Sequence, residues 1–206
     1  MALPKGRILQ QLAPLLVAAG VEEKVLLGRT RKLVREAPNV GLSFLLLKPD
    51  DVPTYVEFGA ADLGVVGRDV LMERDYDLYV PLELGLGRCR MMVCGRPGAS
   101  LSPREGRALR VATKFPQIAT RHFAERGQPV EVIFVQGSVE LAPLMGLADL
   151  IVDLVETGET LRQNGLEELE WICDISSVIV ANRVGLKLER ERIAPLLGKI
   201  TRALEG

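Results

Sequence analysis

Two carboxylates and a small hydroxyl-and-glycine loop stand together late in the chain. Asp153 closes a short apolar run, Leu150-Ile151-Val152, that reads as a buried strand. Glu156 follows three residues later, and then Thr157, Gly158, Glu159 and Thr160, where the chain turns into a helix. Glycine lets a backbone approach a ligand closely, hydroxyls donate hydrogen bonds, and amides at a helix start point outward. That combination suits a phosphate. Carboxylates repel a phosphate, so Asp153 and Glu156 must serve another part of the ligand. Ribose hydroxyls and a magnesium ion are the groups such acids hold. Phosphate, sugar diol and metal together describe a phosphoribosyl group. Without a ligand, the same residues are a strand and a capped helix with solvated acids.

Other charged residues stand where elements begin or end. Lys5 and Arg7 flank Gly6 at the start of the first predicted helix, and two cations at a helix N-terminus suit an anion. Arg88 and Arg90 alternate about Cys89 and would share one face of a strand. Lys114 ends a predicted strand, the position where open α/β sheets place ligand groups. Asp50-Asp51 and Glu22-Glu23 read as solvated caps or turns. No Walker-type loop occurs, and Gly85-Leu86-Gly87 lacks the third glycine of a dinucleotide fingerprint. The single histidine, His122, reads as a surface residue of a helix and leaves no Ser/His/Asp arrangement.

The elements that must hold these residues alternate along the chain. Leu9, Leu12, Leu15 and Leu16 share a helical face that Gly20 terminates, with Pro14 inside. Strands are predicted over 44–47, 63–66, 79–84, 90–94, 110–113, 130–135 and 175–180. Helices are predicted over 49–58, near Asp69, and over 116–126, 139–145 and 189–204. Arg96-Pro97-Gly98 marks a turn and a lobe junction. This alternation implies α/β lobes with mainly parallel sheets. Gly59-Ala60-Ala61-Asp62-Leu63-Gly64-Val65 echoes Gly146-Leu147-Ala148-Asp149-Leu150-Ile151-Val152, which suggests two related lobes.

Composition sets bounds. At 206 residues the chain holds one large domain or two small lobes. Its 26 Lys plus Arg against 27 Asp plus Glu argues against nucleic acid as a partner. Three cysteines at irregular spacing match no zinc or redox motif and read as thiols of a reducing compartment. No secretory signal is evident, and no apolar run approaches the roughly 18 residues of a membrane span.

Longer pieces resemble one family. The run from Glu140 through Gly146, Ala148, Ile151, Asp153, Thr157, Gly158 and Thr160 to Leu161 is similar to the signature of the ATP phosphoribosyltransferases, which open histidine biosynthesis. Leu3-Pro4-Lys5-Gly6-Arg7 is similar to that family's opening motif, and Tyr55-Val56 through Gly59-Ala60-Ala61-Asp62-Leu63-Gly64 to its second block. Gly87-Arg88-Cys89-Arg90, Val111-Ala112-Thr113-Lys114-Phe115-Pro116 and Gly137-Ser138-Val139-Glu140 also match. The resemblance covers essentially the whole chain.

It implies an α/β, two-lobed fold like a type II periplasmic binding protein, with the active site in the interlobe cleft. Lobe I would be 1–88 plus 176–206, and lobe II would be 89–175, carrying the phosphoribosyl loop. The implied reaction moves phosphoribosyl from phosphoribosyl pyrophosphate to N1 of ATP's adenine and releases pyrophosphate. Asp153, Glu156, Lys5 and Arg7 would be catalytic. Asp153, Glu156, Thr157, Gly158, Glu159 and Thr160 would bind phosphoribosyl pyrophosphate. Lys5, Gly6, Arg7, Arg88, Arg90 and Lys114 would contact ATP or pyrophosphate. Mg²⁺ would come in on the substrate, helped by Asp153 and Glu156, with no dedicated protein cage. The division of labour between the two acids stays open. The length resembles the family's short form. That form implies a cytoplasmic homodimer joined to a regulatory subunit related to histidyl-tRNA synthetase. The reading from another class is a two-lobed anion- or solute-binding protein without catalysis, which would share the fold.

Overall fold

A computed structural model describes residues 1–102 and 107–205 and divides the chain into two compact units. The first comprises Met1–Leu71, Asp75–Gly87 and the chain from Ser176 onward; the second comprises Met72–Arg74 and Arg88–Ile175.

The first unit opens with β1 (Ala2–Pro4), α1 (Arg7–Ala18), α2 (Glu23–Leu27), β2 (Val34–Ala37) and β3 (Leu42–Leu47). A 3-10 turn, Pro49–Asp51, leads into α3 (Val52–Glu57), followed by β4 (Leu63–Gly67), α4 (Arg68–Glu73) and β5 (Leu78–Glu83). The second unit runs through β6 (Cys89–Gly95), β7 (Leu109–Thr113), α5 (Pro116–Ala124), β8 (Val130–Phe134), α6 (Leu141–Leu144), β9 (Leu150–Val155), α7 (Glu159–Gln163) and β10 (Glu167–Ile175). The chain then returns to the first unit as β11 (Ser177–Asn182), α8 (Arg183–Leu188) and α9 (Arg190–Glu205).

Each unit is built on one sheet. The first has strand order β2-β3-β1-β4-β11-β5 and the second β10-β6-β9-β7-β8. β3, β1 and β4 are parallel, as are β8, β7 and β9. The remaining pairings are antiparallel, so the sheets are mixed rather than mainly parallel. The expectation of parallel sheets overlooked the strands that follow each unit boundary: β6 and β11 run against the strands they join. Apart from the additional antiparallel edge strand β2 of the first, the two units share one plan, with three parallel strands followed by two joined through antiparallel pairings. The sequence echo falls at matching places in it. Gly59 and Gly146 have φ of 75° and 71°, each just past a short helix and just before a central strand. Only glycine adopts such a conformation without strain.

Apolar periodicity explains the packing. Leu9, Leu12, Ala13 and Leu16 of α1 are buried, and Ile193, Leu196 and Ile200 of α9 join them in the same core as Phe44, Val65 and Ile179. In the second unit Phe123, Leu150, Val152 and Met91 share a core on one side of the sheet, while Ile151, Cys94 and Ala148 cluster separately. That split is the alternation of side chains along a strand.

Four expectations need correction. β9 does not end at Asp153 but continues to Val155, because Asp153 still pairs with Met92 across the ladder. His122 is not on the surface; only 7% of it is exposed, and its Nε2 lies 2.8 Å from Glu170 Oε1. The Arg96-Pro97-Gly98 turn lies within the second unit, not at a junction. The strand placed at 175–180 is two, β10 and β11, broken at Ser176. β10 escaped notice because Glu167, Glu168, Glu170 and Asp174 mask its alternation.

Gly64 shows how closely α3 approaches the sheet. A Cβ there would lie 2.7 Å from both Val52 Cγ1 and Val56 Cγ2. Gly64→Ala should therefore cost about 1–3 kcal/mol through overpacking. Urea unfolding checks this, and an unchanged midpoint would show that α3 can retreat.

Candidate active site

Parallel pairing sets the site of the second unit. β7 and β9 run side by side, so their carboxyl ends, Thr113 and Val155, face the same edge of the sheet. Thr113 is fully buried. Its Oγ1 donates to the Val152 carbonyl at 2.6 Å and accepts the Phe115 N–H at 2.8 Å. This clamp fixes the Lys114 turn against β9.

Beyond β9 a cavity of about 250 Å³ is lined by Glu140, by Asp153 and by the loop from Glu156 to Thr160. Gly158 has φ 71° and caps α7. A Cβ there would meet Glu168 Oε1 at 2.9 Å and an Arg162 guanidinium nitrogen at 3.2 Å, so conformation and space both call for glycine. Arg162 holds the loop by donating to the Thr157 carbonyl at 3.1 Å and to Glu159 Oε2 at 2.8 Å. Glu159 also accepts from Gln163 at 2.9 Å. With those two donors its carboxyl is held below the usual range. Thr157 and Thr160 are exposed on the loop, and the Thr157 Oγ1 accepts weakly from the Glu159 N–H at 3.4 Å.

Asp153 carries the electrostatic burden. Burial pushes its carboxyl up to about 6. The Leu154 N–H, donating at 2.8 Å, pulls the other way. Glu140 raises it further and Lys114 opposes that. The carboxylate is therefore ionised at neutral pH, but in a medium that magnifies its interaction with any positive charge placed nearby. Two residues that the sequence reading did not assign to the site, Glu140 and Arg162, complete it. Glu140 opens the same signature run, whereas Arg162 carried no signal beyond its spacing from Glu159 on one helix face.

Among the described residues no three His, Cys, Asp or Glu side chains converge as a metal cluster.

The first unit has its own basic pocket. Gly6, with φ 93°, caps α1, and Lys5 and Arg7 are exposed on either side. A cavity of about 410 Å³ there is lined by Lys5, Gly6, Thr30, Arg31, Lys32 and Arg35 among others. Arg31 and Lys32 were missed in sequence because Gly28 to Leu33 has no periodicity and reads only as a basic loop.

Arg88 and Arg90 do not share a strand face. β6 starts at Cys89, which leaves Arg88 exposed before it. Arg90 forms a bidentate pair with Glu168, at 2.6 and 3.0 Å. That pair backs Gly158 rather than offering an unengaged cation.

Two mixed α/β units, one with an acid-flanked hydroxyl loop and one with a basic helix cap, define a type II periplasmic-binding-protein-like protein built for phosphorylated ligands. Residues 48–202 match the family described as ATP phosphoribosyltransferase (HisG). A relative of that name from Sorangium cellulosum is 52% identical over 206 residues, covering 100% of this chain and 96% of the relative. One from Nitrosococcus oceani is 50% identical over 206 residues, covering 100% and 95%. A solved structure titled "ATP phosphoribosyl transferase (HisG:HisZ) complex from Thermotoga maritima" contains a chain 37% identical. That alignment has a TM-score of 0.86 and covers 99% of this chain and 96% of that one. The chain belongs to the ATP phosphoribosyltransferase family. It is a pentosyltransferase of the first step of histidine biosynthesis.

The raised Asp153 carboxyl has a measurable consequence for stability. Its ordinary value is 3.8 and its folded value about 6. Between them the folded state keeps a proton that the unfolded state has lost. Stability therefore falls as pH rises through that window and stays reduced above it. Asp153→Asn should be more stable than the parent by about 1–3 kcal/mol above pH 6, with the gap closing below about pH 4. Urea titrations at several pH values test this, and parallel pH profiles for the two proteins would contradict it.

Proposed function

We propose that Thr157, Gly158 and Thr160 hold the 5′-phosphate of phosphoribosyl pyrophosphate while Asp153 and Glu156 face its ribose hydroxyls. The observation that carries this reading is the cavity after β9, where a hydroxyl-and-glycine loop adjoins a desolvated carboxylate. Arg90 and Glu168 support the loop from behind. Lys5 and Gly6, together with Arg31 and Lys32, line a basic pocket for the phosphates of ATP or pyrophosphate, and Arg7 adds its charge from the start of α1. Arg88 and Lys114 add positive charge, Lys114 acting directly on Asp153.

The chemistry needs little proton transfer. Adenine N1 of ATP carries a lone pair and attacks C1 of the ribose. The C1–oxygen bond breaks and pyrophosphate leaves with the bonding electrons. Positive charge develops on the ribose ring, and an ionised Asp153 in a low-dielectric site stabilises it more than water would. Alignment of two anionic substrates provides the rest. Mg²⁺, bound to the pyrophosphate as part of the substrate, would neutralise charge on the leaving group.

Similarity over nearly the whole length to a chain of the HisG:HisZ complex supports assembly with a subunit of the HisZ kind, and the family resemblance adds a homodimer of this chain to the proposal. Histidine inhibition would then be a coupling between subunits. We place the reaction in the cytoplasm, where ATP and phosphoribosyl pyrophosphate are made. No helix among the described residues is long and apolar enough to cross a membrane.

Pyrophosphate release from purified chain with ATP, phosphoribosyl pyrophosphate and Mg²⁺ tests the reaction. Binding of both substrates without turnover, alone and with the regulatory subunit, would instead favour a solute-binding protein. For the loop, Thr157→Ala and Thr160→Ala should each weaken phosphoribosyl pyrophosphate binding by about 1.5–3 kcal/mol, the worth of a hydrogen bond to a charged group. Gly158→Val should be worse, since it blocks the backbone and strains a positive φ. Unchanged titration isotherms for all three would rule the loop out.

A further inference from the structure

A second charged cavity lies at the other end of the sheet that holds the phosphoribosyl loop. It measures about 460 Å³ and is lined by Arg96, Arg107, Arg110, Ser100, Ser102 and Asp149 among others. β7 and β9 begin here, at Leu109 and Leu150, whereas the Asp153 loop follows their far ends. Asp149 immediately precedes β9 and stands four residues before Asp153, about 13 Å at the usual rise of an extended chain. The two cavities share no lining residue.

Among the described residues the charges in this cavity do not balance. Three guanidiniums face a single lining carboxylate among the described residues, Asp149. Arg107 takes both oxygens of that carboxylate, at 3.1 and 3.2 Å. One of those oxygens also accepts the Arg110 backbone N–H at 2.9 Å. The other two guanidiniums are anchored to carbonyls instead. Arg96 donates to the Leu144 carbonyl and Arg110 to the Gly146 carbonyl, each at 2.9 Å. Carbonyl anchors orient a guanidinium without neutralising it. Arg110 Nε is buried without a hydrogen bond, 3.9 Å from Asp149 Oδ2. Among the described residues, a net excess of two positive charges and a stranded donor, in a cavity of the size that holds small ligands, call for a dianion. Oriented guanidinium forks match phosphate oxygens in pairs.

We infer that this cavity is a second binding site, for a phosphate-bearing small molecule of up to nucleotide size, separate from the phosphoribosyl loop. A phosphomonoester brings close to two negative charges and accepts from Arg96 and Arg110 while leaving the Arg107–Asp149 pair in place. The serine hydroxyls and the width of the cavity leave room for a sugar. Its occupancy is independent of whether the loop after β9 holds phosphoribosyl pyrophosphate.

Amide chemical shifts of the full-length chain separate the two sites. Inorganic phosphate and adenosine 5′-monophosphate are the probes, each titrated into the parent and into the Arg96→Gln/Arg107→Gln double variant. Both substituted side chains are exposed at the surface, so the fold should survive, which the spectrum itself reports. In the parent, amides of Gly98, Arg110 and Gly146 should shift with a saturating dependence. In the double variant these shifts should weaken roughly tenfold or more in apparent affinity, the change that loss of one charge-assisted contact brings. Gly158 and Thr160 should respond alike in both proteins. Saturation by inorganic phosphate as well as nucleotide would mean the phosphate alone is recognised. Saturation by the nucleotide only would mean the sugar or base contributes. Shifts confined to Gly158 and Thr160, or equal affinity at Gly98 and Arg110 in both proteins, would overturn the inference.

Discussion

The parallel pairing of β9 with β7 is the constraint on which the second unit's site depends. Parallel neighbours deliver their carboxyl ends to the same edge, so the turns that follow them, Lys114-Phe115 and Glu156–Gly158, become neighbours although 40 residues separate them. Thr113 secures the arrangement. Its hydroxyl satisfies the Val152 carbonyl and the Phe115 N–H at once in a fully buried position. An apolar residue there would strand two buried polar groups, each a loss of about 1–3 kcal/mol. Asp153, the loop and the Lys114 charge all inherit their positions from this junction.

The two units carry the same plan to different ends. Aligned on their shared G-x-A-D-L-x-V segments, Val66 of β4 occupies the place of Asp153 in β9. Val66 is fully buried among apolar neighbours. Asp153 stands at a position the architecture prepares for a hydrocarbon. Its elevated carboxyl follows from that placement more than from any single neighbour, since burial is its leading cause. Keeping a charge in a poorly solvated place costs stability, and there it acts most strongly on any positive charge placed nearby.

Cations are distributed with similar economy. The chain's net charge is −1, yet Lys5, Arg31 and Lys32 gather in one pocket of the first unit, and three arginines gather at the far edge of the second sheet. Two other guanidiniums are structural. Arg90 is spent on Glu168, and Arg126 and His122 both close on Glu170. Burial, with Arg126 close by, lowers the affinity of His122 for a proton. The only imidazole in the chain is thus a packing group between α5 and β10.

The sequence alone determined what depends on local pattern. The apolar stripe of α1, the strand before Asp153, the helix start at Gly6-Arg7 and the loop at Thr157-Gly158 were legible because period, cap and turn chemistry act over a few residues. Family resemblance rested on the same local runs. What escaped was whatever depends on partners distant in the chain. β10 is hidden because two of its acids, Glu168 and Glu170, answer to Arg90, Arg126 and His122 rather than to water. Arg90 is engaged as a buttress by Glu168 because β6 pairs with β10. His122 goes inside because Glu170 is waiting there. Only tertiary structure decides such cases, since burial and charge neutralisation are set by the strand across the ladder, and register is not written in either strand by itself.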